Sequence, residues 1–128
     1  MKTVVICGSR RFKKEIREFA LRLKEKGVIV FEPILHEPDE EDERLSEHTS
    51  DFKFMGLTFH HFNAIRKADV CYVYNKGGYS GVSTTLEIGF CYAQDKPIYA
   101  FSKDQEEPCR NILFEEIIET PDELIKKL

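Results

Sequence analysis

Nowhere does this chain carry an apolar run long enough for a bilayer-spanning helix, and nowhere does a basic block stand apart from the acidic ones. The first absence argues against a membrane protein. The second, with a formal net charge of -4, argues against a partner that is a nucleic acid polymer, whose phosphates call for a cationic face. The start also reads poorly as a signal peptide, because Met1-Lys2 leads only into Thr3-Val4-Val5-Ile6-Cys7 before Arg10 and Arg11. Four cysteines, Cys7, Cys71, Cys91 and Cys109, show no paired spacing, and three lie in apolar segments where a free thiol packs as a small hydrophobe. That pattern speaks against a disulfide framework and against metal or redox chemistry, and fits a reduced, soluble, cytoplasmic protein. Neither the Walker lysine loop nor the dinucleotide fingerprint is present. With no internal repeat or linker, residues 1–128 read as one domain, long enough to bury a core.

What is present is alternation of short apolar runs with helical patterns, the signature of a parallel α/β sheet. Thr3–Cys7 predicts a first strand covered on both faces. Ile16, Phe19, Ala20 and Leu23 recur at helical spacing above a polar face of Lys and Arg, and Gly27 stops that helix. Val28–Phe31 predicts a second strand, with a possible run to Leu35 despite Pro33. Residues 36–47 form an acidic loop in which Glu37 and Asp39 to Glu43 offer six carboxylates; they can hold a hard cation, and a solvated charged loop is the plainer reading. A helix over about 50–67 follows, its stripe of Phe52, Met55, Phe59 and Phe62 reading as core. Strands at Val70–Tyr74, Pro97–Phe101 and Phe114–Ile118 complete the set, with a polar connection at Ser102–Asn111. A last helix opens on Thr120-Pro121-Asp122-Glu123, a capping threonine, proline at the first helical position and glutamate three after the cap. The expected architecture is a single Rossmann/flavodoxin-like, doubly wound, five-stranded parallel sheet, with ligands at the carboxyl ends of its strands.

Two loops then fall where chemistry belongs. Cys7-Gly8-Ser9-Arg10-Arg11-Phe12 follows the first strand, and Gly8 permits a tight turn while Ser9 and the arginines suit an anion at a helix start; an ordinary turn with solvated arginines is the alternative. Asn75 to Thr84 follows the third strand, and its three glycines, Gly77, Gly78 and Gly81, with the hydroxyls of Ser80, Ser83 and Thr84 suit close approach of a phosphate, sugar or base; a long glycine turn with Ser83 or Thr84 as N-cap is the alternative. Just beyond stands Glu87, the only charged residue between Lys76 and Asp95, in a segment apolar all round after Thr85. A carboxylate buried there must find hydrogen bonds or accept a raised pKa, and such acids are candidates for nucleophilic or acid–base work. The spacing Thr84-x-x-Glu87 equally satisfies a capping box, in which Glu87 only reaches back to a backbone N–H.

Cys7-Gly8-Ser9-x-Arg11, Ala68-Asp69-Val70, Ser83-Thr84-x-x-Glu87-Ile88-Gly89 and Lys96-Pro97-Ile98 occur in order over residues 3–101. Together they resemble the nucleoside 2-deoxyribosyltransferase superfamily, especially its 2'-deoxynucleoside 5'-monophosphate N-glycosidase branch; the wider Rossmann-like group with the cytokinin-riboside-monophosphate hydrolases has a similar glycine-threonine-glutamate element. The resemblance implies that Glu87 attacks the anomeric carbon to form a glycosyl-enzyme ester, which water or a second base resolves. It implies that Gly8, Ser9 and Arg11 hold the 5'-phosphate or a sugar hydroxyl and that Gly78, Ser80, Gly81, Ser83 and Thr84 complete the cradle. Phe12 or Tyr79 would stack on the base. The chemistry requires no cofactor and no metal, the partner is a nucleoside or nucleoside monophosphate, and relatives of this type assemble as homodimers or higher homo-oligomers. The pattern breaks at three places. His61 stands seven residues before Ala68, where the family carries an aspartate that serves the departing base; Val5 replaces an aromatic in the first strand; and the stretch from Ser80 to Glu87 is one residue longer. Histidine can do acid–base work near neutral pH. The same exchange is compatible with a non-catalytic nucleotide-binding sensor module on the same fold.

Overall fold

The computed structural model describes residues 2–35, 44 and 46–128; the acidic run at Glu37 and Asp39 to Glu43, with its cation and solvated-loop readings, lies outside the described residues. Among the described residues, β1 (Thr3–Gly8), β2 (Ile29–Phe31), β3 (Val70–Tyr74), β4 (Ile98–Ala100) and β5 (Glu116–Ile117) form one sheet in the order β2-β1-β3-β4-β5. Every adjacent pair is parallel. The helices are α1 (Lys13–Glu25), α2 (Glu47–Lys67), α3 (Val82–Ala93), α4 (Pro108–Leu113) and α5 (Pro121–Ile125). This is the flavodoxin-like arrangement expected from the alternation of runs. No helix among the described residues is long and apolar enough to cross a membrane.

Because successive side chains of a strand point to opposite faces, β1 and β3 build two cores at once. Val4, Ile6, Val70, Tyr72 and Tyr74 meet Ile16, Phe19, Ala20 and Leu23 of α1 and Leu124 of α5. Val5, Cys7, Cys71 and Val73 meet Ala64 and Ile65 of α2 and Ile88 and Cys91 of α3. On the first face Phe19 stacks on Tyr72, ring centroids 4.5 Å apart, and the Tyr72 hydroxyl donates to the Ile118 carbonyl at 2.6 Å. Helix α1 ends as its glycine predicts: Gly27 has φ +85°, its N–H reaches the Lys24 carbonyl, and the Val28 N–H reaches that of Leu23.

Several elements differ from expectation. β2 stops at Phe31, before Pro33, which has no N–H for a ladder. Helix α2 begins at Glu47, earlier than expected, because the Ser46 hydroxyl accepts from the Thr49 N–H and caps it. The connection after β4 contains α4, with Pro108 at its start and the Glu107 carboxylate accepting from the Cys109 N–H. The aromatic stripe of α2 is not core: Phe52 is 58% exposed, Met55 48% and Phe59 58%, and only Phe62 of the four packs inward, stacked on Phe90 at 4.4 Å. Nor is α3 buried all round, since Val82, Leu86 and Tyr92 are exposed while Ile88 and Cys91 face the sheet. A sheet can cover only one stripe of each helix, and both segments carry more apolar residues than that stripe can bury.

Candidate active site

The strand order reverses direction between β1 and β3, and open parallel sheets bind ligands in the crevice at that switch. A cavity of about 440 Å³ opens there. Gly8, Ser9 and Arg10 line it from the turn after β1, and Pro33 to Leu35 from the segment after β2. Helix α2 contributes Phe54, Leu57, Thr58, His61 and Phe62, and the start of α3 contributes Gly81 to Thr84, Leu86 and Glu87.

The turn after β1 exists because residue 8 has no side chain. A Cβ there would sit 2.7 Å from Ile16 Cδ1 and 3.1 Å from the Tyr74 carbonyl, so glycine lets α1 and β3 close on the strand end without either having to shift. Ser9 caps the following 3-10 turn, its hydroxyl accepting from the Arg11 N–H. On the other side of the crevice, α3 starts directly after Gly81 with no side-chain cap, and its first intrahelical N–H is that of Thr85, bonded to the Gly81 carbonyl. Gly81 to Thr84, at the positive end of α3, line the cavity, and the N–H groups before that of Thr85 have no partner within the helix, an arrangement suited to an anion or sugar oxygens.

This helix start also removes the capping-box account of Glu87. With Gly81 as the cap, Glu87 lies in the second turn and cannot reach back to the first amides. Instead Glu87 Oε2 lies 3.2 Å from His61 Nε2, with side chains 14% and 8% exposed. The contact has ion-pair distance but lacks hydrogen-bond alignment, so Glu87 Oε2 is buried with no donor. Behind the pair, Cys7 Sγ lies 3.4 Å from the same imidazole nitrogen. Burial pushes the Glu87 carboxyl up to about 8. Burial, with the neighbouring His60 adding to it, pushes His61 down to about 4. Each group is thus driven toward its neutral form, while attraction between the charged forms at 3.2 Å opposes that drive. The net state across neutral pH is a pair that holds one proton between its two members.

The sequence-derived candidates divide into two groups. Glu87, His61, Gly8, Ser9, Gly81, Ser83 and Thr84 share the cavity wall. Arg11, Phe12 and Tyr79 form a stack outside that lining: the Arg11 guanidinium sits 3.6 Å above the Tyr79 ring, which meets Phe12 edge-on at 6.2 Å. Gly78, at φ +81°, is pressed against the loop after β4, where an added Cβ would come within 2.7 Å of the Lys103 carbonyl. Ser80 is buried, its hydroxyl without a partner. Asp69 serves the opposite end of the sheet, accepting from the N–H of Thr3 at 2.8 Å and from its hydroxyl at 3.1 Å. Cys7 is the neighbour of the pair that sequence reasoning passed over. Strand alternation from Val5 places it on the α2/α3 side, and that was the available signal.

No protein-family model matches the chain, and no curated protein matches it in sequence. Among solved structures, it is similar to a 2-deoxyribosyltransferase from Bacillus psychrosaccharolyticus, with TM-score 0.72 and 18% identity over 95% of this chain and 89% of that one. It is similar to the CMP N-glycosidase BcmB of Clostridium botulinum, with TM-score 0.57 and 21% identity over 98% and 96%. A 2-deoxyribosyltransferase from Leishmania mexicana matches at TM-score 0.52 and 20% identity over 81% and 66%. The chain has the flavodoxin-like fold found in nucleoside 2-deoxyribosyltransferases and nucleotide N-glycosidases. The motif resemblance and the structural likeness thus agree on the fold.

Proposed function

We propose that the protein is an N-glycosidase or deoxyribosyltransferase that cleaves the base–sugar bond of a nucleoside or nucleoside 5'-monophosphate, with Glu87 as nucleophile. The observation that carries this reading is the buried, donorless Glu87 Oε2 beside His61 in a cavity at the strand-order switch. The pair's single proton gives both roles at once. With the proton on His61 Nε2, Glu87 is a carboxylate free to form a bond to the anomeric carbon. The C–N bond breaks as that bond forms, and the departing base nitrogen takes its proton from the imidazolium. Water or a second base then attacks the anomeric carbon of the ester and returns Glu87 as leaving group. The first amides of α3, with Ser83 and Thr84, and the turn of Gly8, Ser9 and Arg10 hold the phosphate or sugar oxygens on opposite walls.

Incubation with a panel of ribo- and deoxyribonucleoside monophosphates, read by chromatography, tests this: free base should appear with the wild-type chain and not with Glu87→Gln. Tight nucleotide binding without release over long incubation establishes instead the second reading, a non-catalytic nucleotide-binding sensor module. That reading draws on the raised pKa of Glu87, which makes the neutral acid an apt hydrogen-bond donor to a bound sugar. The proposal includes a homodimer or larger homo-oligomer. Phe52, Phe54 and Phe59 of α2, with Leu86 and Tyr92 of α3, leave apolar surface exposed on two helices that pack together. Sedimentation showing a monomer at micromolar concentration counts against that part alone.

A further inference from the structure

We propose that Cys7 Sγ, His61 Nε2 and a Glu87 carboxylate oxygen form a zinc site that opens onto the cavity. The three ligand atoms, drawn from β1, α2 and α3, all lie within 4.8 Å of one another. Zinc bonds of about 2.0 Å to nitrogen and oxygen and about 2.3 Å to sulfur, at tetrahedral angles, set edges of about 3.3 Å between N and O and about 3.6 Å between N and S. The separations here are 3.2 Å for His61 Nε2 to Glu87 Oε2 and 3.4 Å for His61 Nε2 to Cys7 Sγ. One nitrogen thus stands at near-tetrahedral distance from both other ligands before any ion arrives.

Two further observations point the same way. Glu87 Oε2 is buried without a donor, so an ion would supply the partner that the protein withholds. Behind the site, Cys7 packs in one cluster with the buried free thiols Cys71 and Cys91, which hold its sulfur in place. Such support behind a ligand is what orients and tunes a metal site. Thiolate and imidazole together select zinc over magnesium or calcium. His61 and Glu87 line the cavity while Cys7 does not, so three protein ligands close one side of the ion and leave its fourth position toward the cavity. Zinc takes Cys7 as thiolate and Glu87 as carboxylate, and the displaced protons pass to solvent. Its effect on activity, which rests on the proposed function, is inhibition, because the carboxylate oxygen that would attack the sugar is committed to the ion.

Titration of the full-length, chelator-stripped protein with Co²⁺ tests the site. Expected are a near-ultraviolet thiolate-to-cobalt charge-transfer band and visible bands of tetrahedral cobalt, saturating at one ion per chain and abolished by Zn²⁺. Cys7→Ser should lose the charge-transfer band and Glu87→Gln should weaken cobalt binding, with circular dichroism confirming that each variant is folded. Cys109→Ser, which removes the exposed thiol, should keep the bands. Absence of tetrahedral bands in the wild-type chain, or a charge-transfer band that survives Cys7→Ser, overturns the site. In a parallel assay, zinc should abolish base release and chelator should restore it; release by zinc-saturated protein overturns the inhibition. Cobalt bands in a stripped protein that releases no base leave the metal site standing and remove the glycosidase reading instead.

Discussion

The two faces of the sheet are made by the same strands and end in opposite chemical states. On the α1/α5 face Val4, Ile6, Tyr72 and Tyr74 are closed over by helix, and the buried Tyr72 hydroxyl is satisfied by the Ile118 carbonyl. On the α2/α3 face Val5, Cys7, Cys71 and Val73 lie under a layer that includes His61 and Glu87, and the Glu87 oxygen is left without a donor. A buried polar atom without a partner costs about 1–3 kcal/mol. Both faces therefore carry core, and the α2/α3 face in addition keeps unsatisfied polar chemistry in place on that support.

The largest expected break is Glu87→Gln, which should lower base release by on the order of 10⁴-fold or more while the chain stays folded. A loss of folding in parallel with activity would assign Glu87 to stability and erase the contrast between faces. His61→Ala should reduce base release by about 10²–10⁴-fold, the range for general acid–base groups. In the metal-free wild type, kcat/KM should fall above about pH 8 as the pair loses its proton and below about pH 4 as it gains a second. A rate that climbs steadily through pH 8 would mean that Glu87 acts alone.

Stability should follow the same two groups with opposite signs. The folded pKa of Glu87 is raised to about 8, so the stability linked to it is full below its unfolded value and is lost as pH rises through 8. The folded pKa of His61 is lowered to about 4, so its linked stability is full above its unfolded value near 6.5 and is lost as pH falls through 4. Between pH 6.5 and 8 only the Glu87 contribution changes. Denaturant unfolding should show the metal-free wild type losing about 2 kcal/mol across that window, against a flat response for Glu87→Gln. On the opposite face Tyr72→Phe should cost about 1 kcal/mol in unfolding free energy and leave base release per folded chain unchanged. A change in rate there would show that the faces are coupled through β3.

The architecture was legible because strand runs and helix stops are local signals: the apolar run of β1, the Gly27 stop of α1 and the Thr120 cap of α5 appear where the residues place them. Glu87 was legible as a lone charge in an apolar segment. The long-range partners were not. Cys7 and Glu87 are far apart in sequence, and nothing in either segment states that α2 brings His61 between them. The aromatic residues of α2 misled because periodicity reports an apolar stripe without saying what covers it. The Thr84-x-x-Glu87 spacing misled because the helix starts three residues earlier, at Gly81.

The Asn75 side chain, fully buried at the end of β3, donates to the Ser102 carbonyl at 2.8 Å and accepts from the Ser102 N–H at 2.9 Å. One amide thereby imitates a strand neighbour and extends the pairing of β3 with β4 past the last true ladder bond. The rim after these two strands is mechanically a continuation of the sheet, stiff where the crevice meets α3.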